Sequence, residues 1–250
     1  MIIARNISAV ILAAGRGKRM NADIPKAMHL LGDIPLIGHT IAMLNKLQLK
    51  SIIIVSNPED KELHQYVQNL HIKTKIKLAF QNKPLGTGDA LKSAMTAVDE
   101  AATPAVMVLP GDCPGIAENT IREQFYRINS ENISIFTTTV PEPYGYGRII
   151  RNHNNALAEI VEENDADELQ KQITEINTGL YIFPKNFLDE NLSKIKNNNA
   201  AKEFYLTDLI KIAADKNIPI IPIHTPEYEQ FSGINTPEQL AAAQERLERR

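Results

Sequence analysis

The sequence is poor in cysteine and has no long apolar run. Cys113 is the single cysteine, so no disulfide can form within the chain. Small secreted domains often depend on disulfides, and this scarcity therefore favours the cytosol. No segment approaches the ~20 consecutive apolar residues of a membrane-spanning helix, and the short apolar stretch 10–14 lacks the layout of a signal peptide. We expect a cytoplasmic protein that does not enter a membrane.

A strong charge of either sign is also missing. The chain has 27 Lys and Arg against 30 Asp and Glu, which gives a formal net charge of −3. So small a net charge supplies no field that would hold nucleic acid or an anionic membrane. A polyanionic ligand must therefore be bound by a local cluster of donors.

The hydrophobic pattern predicts an α/β fold. Short apolar runs predict strands at 8–13, 51–55, 76–80 and 105–109, with helical stripes at 35–47, 61–70 and 88–98 between them. Strands that alternate with helices predict a mainly parallel sheet with helices on both faces. After residue 130, strand patterns at 133–140, 147–151 and 156–161 follow one another closely and predict an antiparallel insertion. Further strands are expected at 174–183 and 220–223, and helices at 184–196, 207–216 and 237–250.

A glycine-rich, cationic loop follows the first predicted strand. Its sequence is Leu12-Ala13-Ala14-Gly15-Arg16-Gly17-Lys18-Arg19-Met20, and Lys26 comes soon after. Ligands bind outside the carboxyl ends of parallel strands, and glycines let a phosphate approach the backbone closely. The spacing is neither that of a P-loop nor that of a dinucleotide fingerprint. A tight turn with solvated charges is the alternative interpretation.

This loop, with Ile24-Pro25-Lys26, resembles the signature of sugar nucleotidyltransferases. It is most similar to the uridylyltransferase half of the bacterial bifunctional enzymes that make UDP-N-acetylglucosamine. Later segments match in the same order along residues 8 to about 249. They are 85–88 (Leu-Gly-Thr-Gly), 111–112 (Gly-Asp), 145–150 (Gly-Tyr-Gly-Arg-Ile-Ile), 160–162 (Ile-Val-Glu), 175–179 (Glu-Ile-Asn-Thr-Gly), 205–208 (Tyr-Leu-Thr-Asp) and 233–235 (Gly-Ile-Asn).

The resemblance implies a Rossmann-like fold and a reaction. A nucleotide-binding half would span about 1–130 and a sugar-binding half about 131–235 of one domain (1–235), followed by a C-terminal helix (236–250). A sugar 1-phosphate would attack the α-phosphorus of a nucleoside triphosphate and expel pyrophosphate, with UTP and N-acetylglucosamine 1-phosphate as the leading substrates. Such a reaction needs alignment and charge neutralisation more than a general base.

The resemblance also implies a set of nucleotide-side residues. Arg19 would hold the β- and γ-phosphates, and Lys26 would neutralise charge at the α-phosphorus. Asp112 and Asn235 would bind Mg²⁺, which takes one or two carboxylates together with phosphate oxygens. The remaining nucleotide-binding positions would be Leu12, Ala13, Ala14, Gly15, Arg16, Gly17, Gln81, Gly86 and Thr87.

The implied sugar site lies in the second half of the chain, apart from Gly111. Gly147 would offer a backbone contact, and Glu162 would accept hydrogen bonds from sugar hydroxyls. Asn177 and Thr178 would hold the sugar and its N-acetyl group, since an amide side chain suits an acetamido group.

Each assignment has a structural alternative. Arg19 and Lys26 could form surface ion pairs, Asp112 could cap a turn, and Asn235 could cap the helix that follows it. The segment 177–179 could be a strand bulge, and Glu162 belongs to an acidic run. Cys113 is best interpreted as a buried structural thiol.

Two departures from the family pattern leave rival functions open. Pro84 and Pro110 stand where the family more often has other residues, so dTTP or CTP, or a sugar such as glucose 1-phosphate, remain alternatives. A non-catalytic nucleotide-sugar sensor is an alternative from another class. The chain has no hexapeptide repeats, so neither acetyl transfer nor β-helix trimerisation is expected.

Overall fold

The computed structural model describes residues 3–15, 20 and 24–248, which form a mixed α/β architecture. The strands are β1 (Ile7–Leu12), β2 (Leu30–Leu31), β3 (Ile34–Pro35), β4 (Ser51–Ser56), β5 (Lys75–Phe80), β6 (Ala105–Pro110), β7 (Ile133–Thr139), β8 (Arg148–Arg151), β9 (Leu157–Val161), β10 (Glu175–Pro184) and β11 (Ile220–His224). The α-helices are α1 (Leu36–Lys46), α2 (Lys61–Gln68), α3 (Thr87–Ala101), α4 (Glu118–Arg122), α5 (Lys185–Asn191), α6 (Asp208–Asp215) and α7 (Pro237–Glu248).

The main sheet has the strand order β11-β7-β10-β6-β1-β4-β5. Strands β6, β1, β4 and β5 are parallel to one another. Strand β10 runs antiparallel to both β6 and β7, and β8 joins it through the pair Ile176–Arg148 while pairing with β9. The predicted α/β class, with a mixed sheet and an antiparallel insertion, is confirmed.

Alternation along the central strand explains why helices cover both faces. Successive side chains of a strand point to opposite sides of the sheet. Ile7 and Ile11 of β1 belong to the buried cluster that includes α1 and α2, whereas Val10 belongs to the cluster that includes α3 and α6. A strand buried on both faces needs apolar residues at nearly every position, which is the pattern of β1.

Three short features differ from the sequence expectations. The two-residue strands β2 and β3 and the five-residue helix α4 are too short to give a periodic signal. The helix expected over 184–196 ends at Asn191 and is followed by a 3₁₀ turn, 192–194.

Within the described ranges, no helix combines the length and apolarity that crossing a bilayer requires.

The β2–β3 hairpin and α7 connect two distant parts of the chain. Leu31, Leu36 and Ile234 form a small buried cluster against Leu240 and Ala243 of α7. The hairpin directly follows the segment that carries Lys26, and Ile234 directly precedes Asn235. This packing therefore holds the segment that carries Lys26 close to the segment that carries Asn235.

Candidate active site

A cleft of about 360 Å³ opens at the carboxyl ends of the parallel strands. Its lining combines the ends of β1, β5 and β6 with residues of the antiparallel insertion and the segment before α6. The predicted site residues among its lining are Leu12, Ala14, Gly15, Gln81, Gly86, Thr87, Asp112, Glu162 and Asn177. Open α/β sheets bind ligands at this edge, as the sequence analysis expected.

Backbone hydrogen bonds build the floor of the cleft. The Ala13 N–H donates to the Val55 carbonyl (2.8 Å), and the Gly111 N–H donates to the Leu12 carbonyl (3.0 Å). These bonds hold the ends of β1, β4 and β6 together, and Ala13 and Gly111 lie behind the lining. Gly15 lines the cleft, and a methyl group added there would meet no described atom within 4 Å.

The predicted loop residues Arg16, Gly17 and Arg19 lie outside the described residues. Their proposed contacts with the phosphates stay predictions.

Lys26, Asp112 and Asn235 converge at one end of the cleft. The Lys26 ammonium donates to Asp112 Oδ2 and to Asn235 Oδ1, the latter at 2.5 Å. The Lys26 and Asp112 side chains are 15% and 20% exposed. The Ile234 N–H donates to the Asp112 carbonyl (3.0 Å), which fixes the two loops against each other. Three segments far apart in sequence therefore meet at one cation.

The orientation of Asn235 leaves its oxygen for a cation. Its Nδ2 donates to the Gly233 carbonyl (3.3 Å), so Oδ1 faces Lys26. The first-turn hydrogen bond of α7 comes instead from Thr236, whose Oγ1 accepts the Gln239 N–H (3.3 Å). The alternative interpretation of Asn235 as the helix cap therefore does not hold.

The donor set fits a divalent cation completed by a ligand. Asp112 and Asn235 direct two oxygens at a point where a positive charge already lies, that of Lys26. In the described part of the chain, no group of three His, Cys, Asp or Glu residues could hold a metal. Mg²⁺ needs only one or two protein oxygens when phosphate and water supply the others.

Gln81 presents a carbonyl oxygen to the cleft. The residue is 5% exposed, and its backbone N–H extends the sheet by donating to the Ser56 carbonyl (3.0 Å). Its side-chain Nε2 donates to the Gly86 carbonyl (3.1 Å) and to Asp89 Oδ2 (2.8 Å). Both partners are acceptors, so the nitrogen must face them and Oε1 is left over.

The glycine segment beside Gln81 is joined to the segment before α6. Gly86 has φ +111°, and a methyl group there would lie 2.6 Å from the Phe204 carbonyl oxygen, so only glycine fits. Thr87 Oγ1 accepts the Leu206 N–H (3.0 Å). This contact gives the Thr87 hydroxyl a structural partner and holds the neighbouring Thr207 at the cleft.

Glu162 lies in the cleft as a carboxylate with one oxygen engaged. The buried Thr207 hydroxyl donates to Glu162 Oε1 (2.9 Å). Burial raises the pKa of Glu162, and the nearby carboxylates of Asp165, Asp208 and Glu203 raise it further, while the Thr207 hydrogen bond lowers it. Oε2 has no hydrogen-bond donor among the described residues and is left for a ligand.

Asn177 sits at a bulge of β10. The pairing of β10 with β7 shifts register between Asn177 and Tyr181, which produces the bulge that the sequence analysis gave as the structural alternative. Asn177 Nδ2 donates to the Tyr181 hydroxyl (2.6 Å), and Oδ1 accepts the Gly179 N–H (3.1 Å). One amide hydrogen and one lone pair remain, so the bulge fixes a group that can both donate and accept.

Gly147 adjoins both sugar-side candidates, whereas Thr178 does not reach the cleft. The Gly147 carbonyl accepts the Asn177 N–H (2.9 Å), and a methyl group at Gly147 would lie 3.4 Å from Glu162 Oε2. The buried Thr178 hydroxyl donates to the Phe136 carbonyl (2.8 Å), across the sheet. Its predicted contact with a sugar therefore has no support in the position of this side chain.

Sequence reasoning gave no role to several residues of the cleft. They are Tyr181, Glu203, Leu206 and Thr207, together with Pro84, Pro110 and Gly179. Thr207 was visible within the Tyr-Leu-Thr-Asp segment, but the segment alone did not show which side chain faces the cleft. Cys113 is buried, and burial raises the pKa of its thiol well above the usual value, as expected of a structural cysteine.

Comparisons with known proteins agree with this geometry. The model of the nucleotidyl transferase family matches residues 8–222. Proteins named "Bifunctional protein GlmU" from Francisella tularensis subsp. novicida (strain U112) and subsp. tularensis (strain SCHU S4 / Schu 4) are 36% identical over 236 residues. Each match covers 94% of this chain and 50% of the relative, so the chain spans about half the length of these relatives.

The matched region includes the loop after β1, the end of β6, the β8–β9 hairpin and the bulge of β10. The resemblance that the sequence motifs predicted is thereby confirmed. Members of the family act on a nucleoside triphosphate and generally use a divalent metal. The chain belongs to the nucleotidyl transferase family.

Proposed function

We propose that this chain transfers a uridylyl group from UTP to N-acetylglucosamine 1-phosphate. The products would be UDP-N-acetylglucosamine and pyrophosphate. The observation that carries the proposal is the convergence of Lys26, Asp112 and Asn235 at the end of a cleft that also contains Gln81, Glu162 and Asn177. One cleft thus offers groups for a phosphate chain, a base and a sugar.

The reaction is a displacement at phosphorus. A phosphate oxygen of the sugar 1-phosphate forms a bond to the α-phosphorus. The bond between the α-phosphorus and the oxygen that bridges it to the β-phosphorus breaks, and pyrophosphate leaves. The attacking oxygen is already anionic, so the protein has to align two anions and offset their charge.

Among the residues that the structure describes, Lys26 is the cation at the end of the cleft where the phosphates would react. Its ammonium would offset the charge that grows on the α-phosphate, and Arg19 would hold the departing pyrophosphate. Asp112 and Asn235 would hold Mg²⁺, which neutralises phosphate charge and orients the triphosphate when bound. A ligand-bound state requires Lys26 to exchange these two oxygens for phosphate oxygens, because one position cannot hold two cations.

Gln81 supports uracil as the base. Its free Oε1 is an acceptor, and N3–H of uracil is a donor, whereas N3 of cytosine is itself an acceptor. A buried site that offers an acceptor rejects a second acceptor, because both groups stay unpaired.

Glu162 and Asn177 support an N-acetylated sugar. A carboxylate oxygen accepts hydrogen bonds from sugar hydroxyls, and the free amide hydrogen of Asn177 can donate to an acetamido carbonyl. A methyl group at position 147 would lie 2.8 Å from Ile160 Cγ2, so the glycine lets the backbone pack closely beside both side chains.

A pyrophosphate-release assay tests the proposal. UTP, dTTP, CTP and ATP are each combined with N-acetylglucosamine 1-phosphate and with glucose 1-phosphate, with and without Mg²⁺. We expect release to be fastest with UTP and N-acetylglucosamine 1-phosphate, and to require the metal. Faster release with another pair would replace the substrates proposed here, and no release with any pair would favour a sensor that only binds nucleotide sugars.

A further inference from the structure

Asp89 has no proposed contact with a substrate, but it accepts a hydrogen bond from Gln81, the residue proposed to bind the base. It lies in the first turn of α3, and its Oδ2 accepts from Gln81 Nε2 at 2.8 Å. The Gly86 carbonyl accepts from the same nitrogen at 3.1 Å. Asp89 does not line the cleft, so it could act on a ligand only through Gln81.

The two acceptors control which end of the Gln81 amide faces the cleft. A primary amide can rotate by half a turn and exchange its oxygen for its nitrogen at little steric cost. In this protein the rotated amide would place Oε1 against the carboxylate of Asp89 and the carbonyl of Gly86. The resulting contacts would join acceptor to acceptor in a buried position, and the bond to the carboxylate, which is the stronger of the two, would be lost.

We propose that Asp89 is a positioning residue that sets base selectivity by holding Gln81 Oε1 toward the cleft. The ligand class that follows is a nucleotide whose base has an N–H at N3, such as uracil. A base with a lone pair at that position, such as cytosine, would need the rotated amide. The proposal rests on the proposed function, because it assumes that Gln81 contacts the base.

Matched variants separate this role from a structural one. Asp89→Asn keeps the size of the side chain, but its NH₂ group can donate to the rotated Gln81 amide. Asp89→Glu keeps a carboxylate acceptor, and Asp89→Ala removes the acceptor without adding a donor. Asp99→Asn is the control, since Asp99 lies in the same helix and pairs with Lys185 outside the cleft.

The measurement is the ratio of kcat/KM for UTP to that for CTP, with N-acetylglucosamine 1-phosphate as the second substrate. Calorimetric binding of UTP and CTP to the full chain, without sugar phosphate, is the second readout. We expect Asp89→Asn to lower the UTP/CTP ratio by on the order of 10-fold or more, through weaker use of UTP and better use of CTP. Asp89→Glu should restore most of the ratio, and Asp99→Asn should leave it unchanged.

Each outcome bears on a different statement. A UTP/CTP ratio that is unchanged in Asp89→Asn, in a folded protein that uses UTP, overturns the role of Asp89 and leaves the proposed function intact. If the unmodified chain neither binds nor uses UTP, the proposed function fails and the role of Asp89 fails with it. If Asp89→Asn does not fold, Asp89→Ala decides: a smaller fall in the ratio supports the proposal, and an unchanged ratio overturns it.

Discussion

The two side-chain amides that line the cleft, those of Gln81 and Asn177, are fixed in different ways. Gln81 uses its NH₂ group on two acceptors and is left with a carbonyl oxygen. Asn177 uses one amide hydrogen on Tyr181 and one lone pair on the N–H of Gly179, and it is left with one donor and one acceptor. The same functional group therefore offers one kind of hydrogen bond at the base end and two kinds at the sugar end.

The difference shows that hydrogen bonds within the protein determine which donors and acceptors of a side chain remain for a ligand. The imide N–H of a base needs a single acceptor, whereas an acetamido group has a donor and an acceptor of its own. Asn235 donates one amide hydrogen to the Gly233 carbonyl, and its oxygen accepts from Lys26. The phosphate end of the cleft has a cation in place of an amide. Lys26 is held there by its ionic contact with Asp112, which a bound ligand must replace.

The largest effect is expected at the phosphate end, which serves both substrates. Lys26→Met removes the described cation nearest to the proposed reacting phosphorus and should lower kcat by roughly 10²- to 10³-fold, as does the loss of one oxyanion-stabilising group in other enzymes. Pyrophosphate release measures the effect, and thermal unfolding checks the fold. The control is Lys77→Met, because Lys77 pairs with Glu100 and does not line the cleft. Turnover within threefold of the unmodified chain would remove Lys26 from the reaction.

The next effect should be confined to the sugar end. Glu162→Gln removes the charge from a hydrogen bond worth about 1.5–3 kcal/mol, so kcat/KM for the sugar phosphate should fall roughly 10- to 100-fold. The KM for UTP should stay within about threefold, since the base end is untouched. Glu100→Gln is the control at a site away from the cleft. Equal changes in both KM values would contradict the separation of the two ends.

A smaller effect is expected from Asn177→Asp. The carboxylate still accepts the Gly179 N–H and can accept from the Tyr181 hydroxyl, but it cannot donate to an acetamido carbonyl. The preference for N-acetylglucosamine 1-phosphate over glucose 1-phosphate should fall about 5- to 10-fold, the value of one neutral hydrogen bond. The UTP/CTP ratio of the same variant is the internal control. A fall in that ratio instead would mean that the assignment of the two amides is reversed.

The smallest effect concerns the hydroxyl that holds Glu162. Thr207→Val removes this bond without removing a helix cap, since the Thr207 side chain makes no capping bond to α6. We expect KM for the sugar phosphate to rise about 3- to 5-fold, and Thr207→Ser to restore it.

The pH profile sharpens this test. Burial already raises the pKa of Glu162, and Thr207 opposes the rise. If sugar binding needs the ionised carboxylate, kcat/KM for the sugar phosphate falls as pH decreases through this raised pKa. The acidic limb should move to higher pH in Thr207→Val and return in Thr207→Ser. A limb that does not move would show that the hydroxyl has only a structural role.

The sequence predicted the parts of the site that depend on strand ends and family motifs. Periodicity located β1 and β6, so the positions of Gly15 and Asp112 at one sheet edge followed from the fold class. The contact of Lys26 with Asn235 joins residues 209 positions apart, and only the family resemblance suggested it. Side-chain hydrogen bonds were not predictable: the orientation of Gln81 depends on Asp89, and that of Glu162 on Thr207, which no spacing rule connects.

The most direct test of the whole account is a crystal structure with UDP-N-acetylglucosamine and Mg²⁺ bound. The account predicts uracil N3 at hydrogen-bond distance, roughly 2.7–3.2 Å, from Gln81 Oε1. It also predicts the diphosphate beside Lys26, and a sugar hydroxyl on Glu162 Oε2. A uracil ring away from Gln81, or a sugar outside the space between Glu162 and Asn177, would contradict it.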